Sequence, residues 1–131
     1  MKNGYQPIMI YTASFYDTVD WVGQPYRVSR AHPRGRKAEW RTLPFLYPVR
    51  DLLHRYREGE LEFDGLATEY REYLEQQYQS VMNLRVWVGR VATLGDFTLL
   101  CFERGEQPCH RRVLAQWLLD QVPELKLGAL R

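Results

Sequence analysis

The residues best suited to chemistry are concentrated in one short segment, residues 101–111. It contains two cysteines, a glutamate, a histidine and an arginine: Cys101, Glu103, Cys109, His110 and Arg111. A cysteine thiolate can act as a nucleophile, and histidine or glutamate can transfer protons. An arginine can bind a phosphate or a carboxylate through two parallel hydrogen bonds. The segment is therefore the first candidate for a functional site.

The elements on either side predict how this segment is positioned. Residues 97–102 form a nearly continuous apolar run, which is typical of a strand buried on both faces in a parallel sheet. Residues 108–122 carry apolar side chains at helical spacing, and Pro108 suits the first helical position. The Cys-His-Arg triplet then lies in the first turn, where the backbone N–H groups are unpaired and the helix dipole is positive. This favours an anion beside Arg111, and it favours the thiolate form of Cys109.

A purely structural interpretation of the same residues stays open. Cys101, inside an apolar strand, can be a core residue, and Cys109 can be a small packed residue. His110 and Arg111 are poorly placed at the positive end of a helix unless an anion or a carboxylate lies nearby. The carboxylate of Glu103 or the neighbouring Glu106 could have that role, and the cluster would then hold loops together.

A metal site is a further alternative. Cys101, Glu103, Cys109 and His110 supply four possible ligands. Their spacing matches no usual zinc pattern, and the adjacent Cys-His pair is awkward for one ion. We therefore predict no metal and no cofactor.

A second candidate region is the basic loop, residues 30–41. Its basic residues are Arg30, His32, Arg34, Arg36, Lys37 and Arg41. Arg27 lies just before the loop, and the aromatic Trp40 lies within it. Such a loop can bind phosphates and stack a base on its aromatic ring. If the basic loop faces residues 101–111, the two regions make one cationic cleft for a nucleotide, a nucleic acid or another anion. A solvent-exposed loop without a ligand is the alternative.

Composition sets the class of protein. The chain has 131 residues, of which 45% are hydrophobic and 26% charged, and its net charge is +2. These values predict one globular domain over residues 1–131, and the charge is too small to indicate a partner. The first residues do not resemble a signal peptide, and no apolar run approaches the roughly 20 residues of a membrane span. We therefore expect a cytoplasmic protein without a membrane partner, whose thiols are reduced rather than joined in a disulfide.

The remaining patterns predict alternating strands and helices. Strands are predicted at residues 7–15, 26–29, 97–102 and 125–130. Helices are predicted at residues 46–57, 65–79 with Asp64 as the N-cap, 81–94 and 108–122, although the valines in residues 81–94 leave room for a strand. This order indicates an α/β fold, a mainly parallel sheet with helices packed on it in Rossmann-like layering. Such sheets bind ligands beyond the carboxyl ends of their strands.

Several short motifs resemble the bacterial and archaeal family catalogued as domain of unknown function 488. They cover nearly the whole chain and are IYTASF at 10–15, VSRAHP at 28–33, LYPVRDLL at 46–53, YREG at 56–59, LLCFE at 99–103 and CHR at 109–111. The Cys-x-Glu and Cys-His-Arg motifs are together the most specific. The resemblance implies a compact α/β domain with its site in the C-terminal strand-loop-helix, residues 97–122, joined by Ser29 and Arg30. It implies no particular activity.

We therefore expect an enzyme-like domain that binds, and in the stronger form of the hypothesis acts on, a phosphate-bearing substrate such as a nucleotide or nucleic acid. The expected catalytic residues are Cys109 as the nucleophile, Glu103 or His110 for proton transfer, and Cys101. The expected anion ligands are Arg111, Arg30, Ser29, Arg34, Arg36 and Lys37. The alternative is a non-catalytic binding module that uses the basic loop, and whether the protein is an enzyme stays open.

Overall fold

The computed structural model of the chain describes residues 7–36, 39–102 and 109–130. Its strands are β1 (Met9–Ser14), β2 (Gln24–Arg27), β3 (Arg41–Thr42), β4 (Phe97–Cys101) and β5 (Lys126–Leu130). They form one sheet in the order β3-β2-β4-β1-β5, and each described pairing is parallel. The predicted α/β fold with a parallel sheet is confirmed.

The described residues also form four α-helices. These are α1 (Arg50–Arg57), α2 (Phe63–Ser80), α3 (Met82–Arg90) and α4 (His110–Gln121). Short 3-10 turns lie at Thr18–Asp20, Pro44–Leu46 and Val91–Thr93. None of the helices in the described ranges has the length and apolar character that crossing a membrane requires.

The central strand β4 is buried along its whole length, as its apolar sequence predicts. Its side chains alternate between the two faces of the sheet. Phe97 and Leu99 join a large hydrophobic cluster to which all four helices contribute. Leu100 joins a smaller cluster with Ala13, Phe15 and Trp40, which closes the other face. Both faces of the sheet are therefore covered, one by helices and the other by aromatic residues from loops.

Several local predictions differ from the structure. Strand β2 covers Gln24–Arg27 rather than residues 26–29. The first helix begins at Arg50 rather than at residue 46, because Pro48 holds the preceding Tyr47 in an extended conformation. The N-cap of α2 is Glu62, so Asp64 lies in the first turn, where a carboxylate still complements the helix dipole. The two-residue strand β3 was not predicted, because its residues are exposed and basic or polar. Residues 82–90 are helical, as expected, rather than a strand.

Candidate functional site

A cleft of about 630 Å³ lies at the carboxyl ends of β2 and β4. The chain that follows β2 forms one wall with Ser29, Arg30 and Ala31. The end of β4 and the start of α4 form the floor with Cys101, Phe102, Cys109 and His110, and α1 forms the facing wall. The cleft therefore lies at the edge of the sheet where parallel α/β proteins bind ligands.

The floor of the cleft contains a disulfide between Cys101 and Cys109. Cys101 is the last residue of β4 and Cys109 is the N-cap of α4, and their exposed fractions are 1% and 2%. The prediction of reduced thiols is therefore corrected for this structure. The chain between the two cysteines, residues 103–108, lies outside the described residues, and with it the predicted roles of Glu103, Glu106 and Pro108.

His110 is held beside the disulfide as a neutral imidazole. Its Nε2 lies 2.8 Å from the carbonyl oxygen of Val28, which follows β2. Because a carbonyl can only accept, Nε2 carries the hydrogen and Nδ1 keeps its lone pair. Nδ1 lies 3.9 Å from Sγ of Cys109.

The protonation state of His110 follows from its surroundings. The side chain is buried and packs edge-on against Tyr70, with 5.6 Å between the ring centroids. Burial lowers the pKa of His110 to about 4. The hydrogen bond to Val28 raises this pKa and the positive charge of Arg111 lowers it, but burial has the largest effect. At neutral pH the Nδ1 lone pair is therefore available to a proton or a metal ion.

Arg111 lies behind the floor rather than in the cleft. Its side chain has an exposed fraction of 0%, and NH1 donates to Sγ of Cys101 at 3.1 Å. It is not among the residues that line the cleft. Its predicted contact with a phosphate stays a prediction, whereas the contact to sulfur positions Cys101.

Ser29 and Arg30 line the cleft, but their polar groups are partly engaged. Ser29 is buried and its hydroxyl donates to the carbonyl of Ala31 at 2.7 Å. Nε of Arg30 donates to the carbonyl of Pro48 at 2.8 Å, which ties this wall to the chain before α1. Arg27 donates from the other side to the carbonyl of Ser29 at 2.8 Å. The backbone at residues 29–30 is therefore held in place by two arginines.

Beyond Ala31, the described residues of the basic loop do not line the cleft. Arg34 is exposed, and Arg36 forms two hydrogen bonds of 2.9 and 3.0 Å with Glu39. Neither lines the cleft. Trp40 has an exposed fraction of 5% and packs against Phe15, so it offers no free face for a base. Lys37 lies outside the described residues.

The facing wall supplies cleft residues that we did not predict as ligands. Arg50, His54 and Arg57 on α1 line the cleft. They occupy positions i, i+4 and i+7, which share one helix face. Neither Arg50 nor Arg57 forms an ion pair within the described ranges. This cationic stripe is visible in the sequence, but the helix was predicted from its apolar residues alone.

Ion pairing on α1 leaves the cleft positive. Arg55 forms ion pairs with two carboxylates, those of Asp51 on the same helix and Glu69 on α2. The described residues that line the cleft include Arg30, Arg50 and Arg57 and no aspartate or glutamate. Among the described residues, the lining of the cleft therefore carries positive charge and no carboxylate.

The fold and the site together define a small parallel α/β protein with a cysteine pair in a cationic cleft at the carboxyl edge of its sheet. A family model described as the active DUF488-N3 subclade matches residues 16–122. The match spans most of the chain, including both cysteines, so the chain belongs to the family of domain of unknown function 488. The resemblance inferred from the motifs is thereby confirmed. No curated protein and no solved structure matches the chain significantly.

Proposed function

We propose that the protein binds a phosphate-bearing ligand, a nucleotide or a segment of nucleic acid, in the cleft and acts on it at Cys109. One observation carries this proposal: three arginines and a sulfur-imidazole cluster line the same cleft. The arginines would bind the charge of the ligand, and the cluster would supply the reacting group.

The cationic wall and the helix start support binding of a phosphate. A volume of about 630 Å³ lies within the usual size range of small-molecule sites. Arginine recognises phosphate through paired, charge-assisted hydrogen bonds, and Arg50 and Arg57 come from one rigid helix. The backbone N–H groups at the start of α4, which begins at His110, add partial positive charge on the floor.

The sulfur atoms on the floor support chemistry rather than binding alone. Cys109 is the N-cap of α4, and a cysteine at this end of a helix is favoured as a thiolate. A disulfide sulfur has no such role, so the active form would be the reduced one. Glu103 and His110 are the candidates for proton transfer.

Equilibrium binding of nucleotides and short single-stranded nucleic acids tests the binding step. For the tightest binder of such a panel, we expect Arg50→Ala and Arg57→Ala each to weaken affinity by about tenfold, because each removes a charge-assisted bond. Affinity is also expected to fall steeply with salt. Arg90→Ala, an exposed arginine outside the cleft, is the matched control. Equal affinities for the Arg57 and Arg90 variants would contradict the proposal.

Turnover separates an enzyme from a binding module. The reduced wild-type chain is expected to convert its tightest ligand, whereas Cys109→Ser is expected to bind it but not convert it. If the wild-type chain binds without converting any ligand of the panel, the chemical step is overturned and a binding module remains.

A further inference from the structure

We propose that the reduced chain binds one Zn²⁺ ion through Sγ of Cys101, Sγ of Cys109 and Nδ1 of His110. The fourth coordination position would face the cleft that these three residues line. The proposal goes beyond the proposed function, because it requires no phosphate-bearing ligand. In the zinc-bound chain Cys109 would be a metal ligand, so the open position on the ion would replace the free Cys109 thiolate as the reacting group. The proposal also reverses our prediction from the sequence that no metal is bound.

The three donor atoms already converge. All lie within 4.8 Å of one another, and all three residues are buried. A tetrahedral zinc ion with Zn–S bonds of about 2.3 Å and Zn–N bonds of about 2.0 Å holds its ligand atoms about 3.5 Å apart. The 3.9 Å between Sγ of Cys109 and Nδ1 of His110 is close to that separation.

The backbone at the start of α4 removes the objection to an adjacent Cys-His pair. Cys109 is extended, with φ of −150° and ψ of 143°, whereas His110 is the first helical residue. This change of backbone conformation directs both side chains to one point beside Cys101. Sequence spacing alone did not reveal it, because consecutive residues within a regular helix do not face each other.

The surroundings match those of a metal-bound histidine and thiolate. A ligating histidine commonly donates its second ring N–H to a backbone carbonyl, as Nε2 of His110 does to Val28. Arg111 donates to Sγ of Cys101 at 3.1 Å, which would stabilise negative charge on that sulfur. Two thiolates offset the charge of one Zn²⁺, and their two protons leave to solvent. The buried site then carries no net charge from its ligands and ion.

The donor set indicates the metal and its use. Two thiolates, which are soft ligands, and one imidazole form a donor set that suits zinc. Three protein ligands with an open position are typical of catalytic rather than structural zinc sites. An open position facing the cleft, which Arg30 and Arg57 also line, would take water or an anionic ligand.

Metal titration of the wild-type chain tests the proposal without any mutation. A phosphine reduces the disulfide to two thiols and is itself oxidised to the phosphine oxide with oxygen from water. The reduced, chelator-stripped chain is then titrated with Co²⁺ in the absence of air. We expect one Co²⁺ per chain, a thiolate-to-cobalt charge-transfer band, the visible spectrum of tetrahedral cobalt, and displacement by Zn²⁺. The same chain with its disulfide intact is the control and is expected to bind neither ion.

Variants identify the ligands. His110→Ala is expected to weaken zinc binding by at least about tenfold. His32→Ala, which changes a histidine that is not among the three convergent donors, is expected to leave it unchanged. Because His110 is buried, its alanine variant can fail to fold, and a second measurement therefore uses the wild-type chain. In that chain Zn²⁺ is expected to slow the alkylation of both cysteines by at least about tenfold.

Two results would overturn the zinc site: no charge-transfer band in the reduced chain, or equal alkylation rates with and without Zn²⁺. Either one would leave the proposed function intact, with Cys109 as a free nucleophile. Conversely, Arg57→Ala is expected to weaken phosphate binding while zinc affinity stays the same, so the two proposals can fail separately.

Discussion

At the scale of single residues, His110 connects the parts of the site. It contacts the carbonyl of Val28 after β2, the ring of Tyr70 on α2 and the sulfur of Cys109. The charged and titratable groups that act on it are Arg111, whose charge disfavours a second proton, and Tyr70, whose own pKa is raised well above its usual value by burial. A neutral imidazole is therefore built into the folded state.

This burial makes stability depend on pH. The pKa of His110 is about 4 in the folded chain and 6.5 in its ordinary state. Between these values the unfolded chain binds more protons, so the free energy of unfolding decreases as the pH falls from 6.5 to about 4. Below about pH 4 the full loss is on the order of 3 kcal/mol. Above pH 6.5 there is no loss, because His110 is neutral in both the folded and the unfolded chain. Urea denaturation of the metal-free, disulfide-bonded chain at several pH values measures it.

His110→Gln is the matched control for this pH dependence. Glutamine keeps an N–H group for the carbonyl of Val28 but does not titrate. The variant is therefore expected to lose the part of the pH slope that belongs to His110 and to keep the rest. Identical slopes for the two chains would show that folding does not lower the pKa of His110.

At the scale of elements, burial decided what could be predicted from the sequence. β4 was predicted because both of its faces are buried and its residues are apolar. β3 has two exposed residues and leaves no apolar pattern. Helix α1 was predicted from its apolar residues, such as Leu52, whereas Arg50 and Arg57 on the same helix were given no role. A charged helix face gives no sign of whether it meets solvent or a cleft.

One glycine fixes how the loop after β1 enters β2. Gly23 has a φ of +65°, and a Cβ there would lie 1.9 Å from the carbonyl oxygen of Asp96. The same oxygen accepts a hydrogen bond from the backbone N–H of Gln24 at 3.0 Å. The close contact between the backbones of Gly23 and Asp96 is therefore part of the pairing of β2 with β4. That pairing brings Ser29 and Cys101 to the same cleft.

Gly23→Ala is expected to destabilise the chain through two separate effects. The left-handed backbone costs about 1–2 kcal/mol for a non-glycine residue, and displacing the backbone of Asp96 adds about 1–3 kcal/mol. Gly59→Ala is the control, since Gly59 has a φ of +77° and nothing within 4 Å of its Cβ position. Urea denaturation should show the larger loss for Gly23→Ala. Equal losses would mean that the contact with Asp96 relaxes without cost.

At the scale of the whole molecule, the site joins segments that are distant in sequence. The strand-to-helix junction was predicted because residues 101 and 109 are close in the chain. Ser29 and Arg30 were assigned to the site through the family resemblance alone, because their position depends on β2 lying next to β4. The wall that α1 forms was not predicted. The net charge of +2 also gave no sign of the cleft, because acidic residues such as Glu69 pair with arginines elsewhere, whereas Arg50 and Arg57 form no ion pair within the described residues.

The disulfide connects this site to global stability. Cys101 and Cys109 are eight positions apart, and closing a loop of this length in the unfolded chain is worth about 2.5 kcal/mol. Reduction by a phosphine, with a chelator present, is therefore expected to lower the free energy of unfolding by about that amount. Urea denaturation with and without the phosphine measures the loss. The double variant Cys101→Ala/Cys109→Ala is the control, because it has no disulfide and should not respond to the reductant.

Zinc is expected to reverse that loss in the reduced wild-type chain. An ion that binds the folded state alone, at a free concentration one hundred times its dissociation constant, adds about 2.7 kcal/mol. The reduced chain with Zn²⁺ should therefore approach the stability of the disulfide-bonded chain, whereas the double alanine variant should gain nothing. The β4–α4 junction would then be closed in both redox states, by a covalent bond in one and by a metal in the other. A reduced chain whose stability does not change with Zn²⁺ would contradict this.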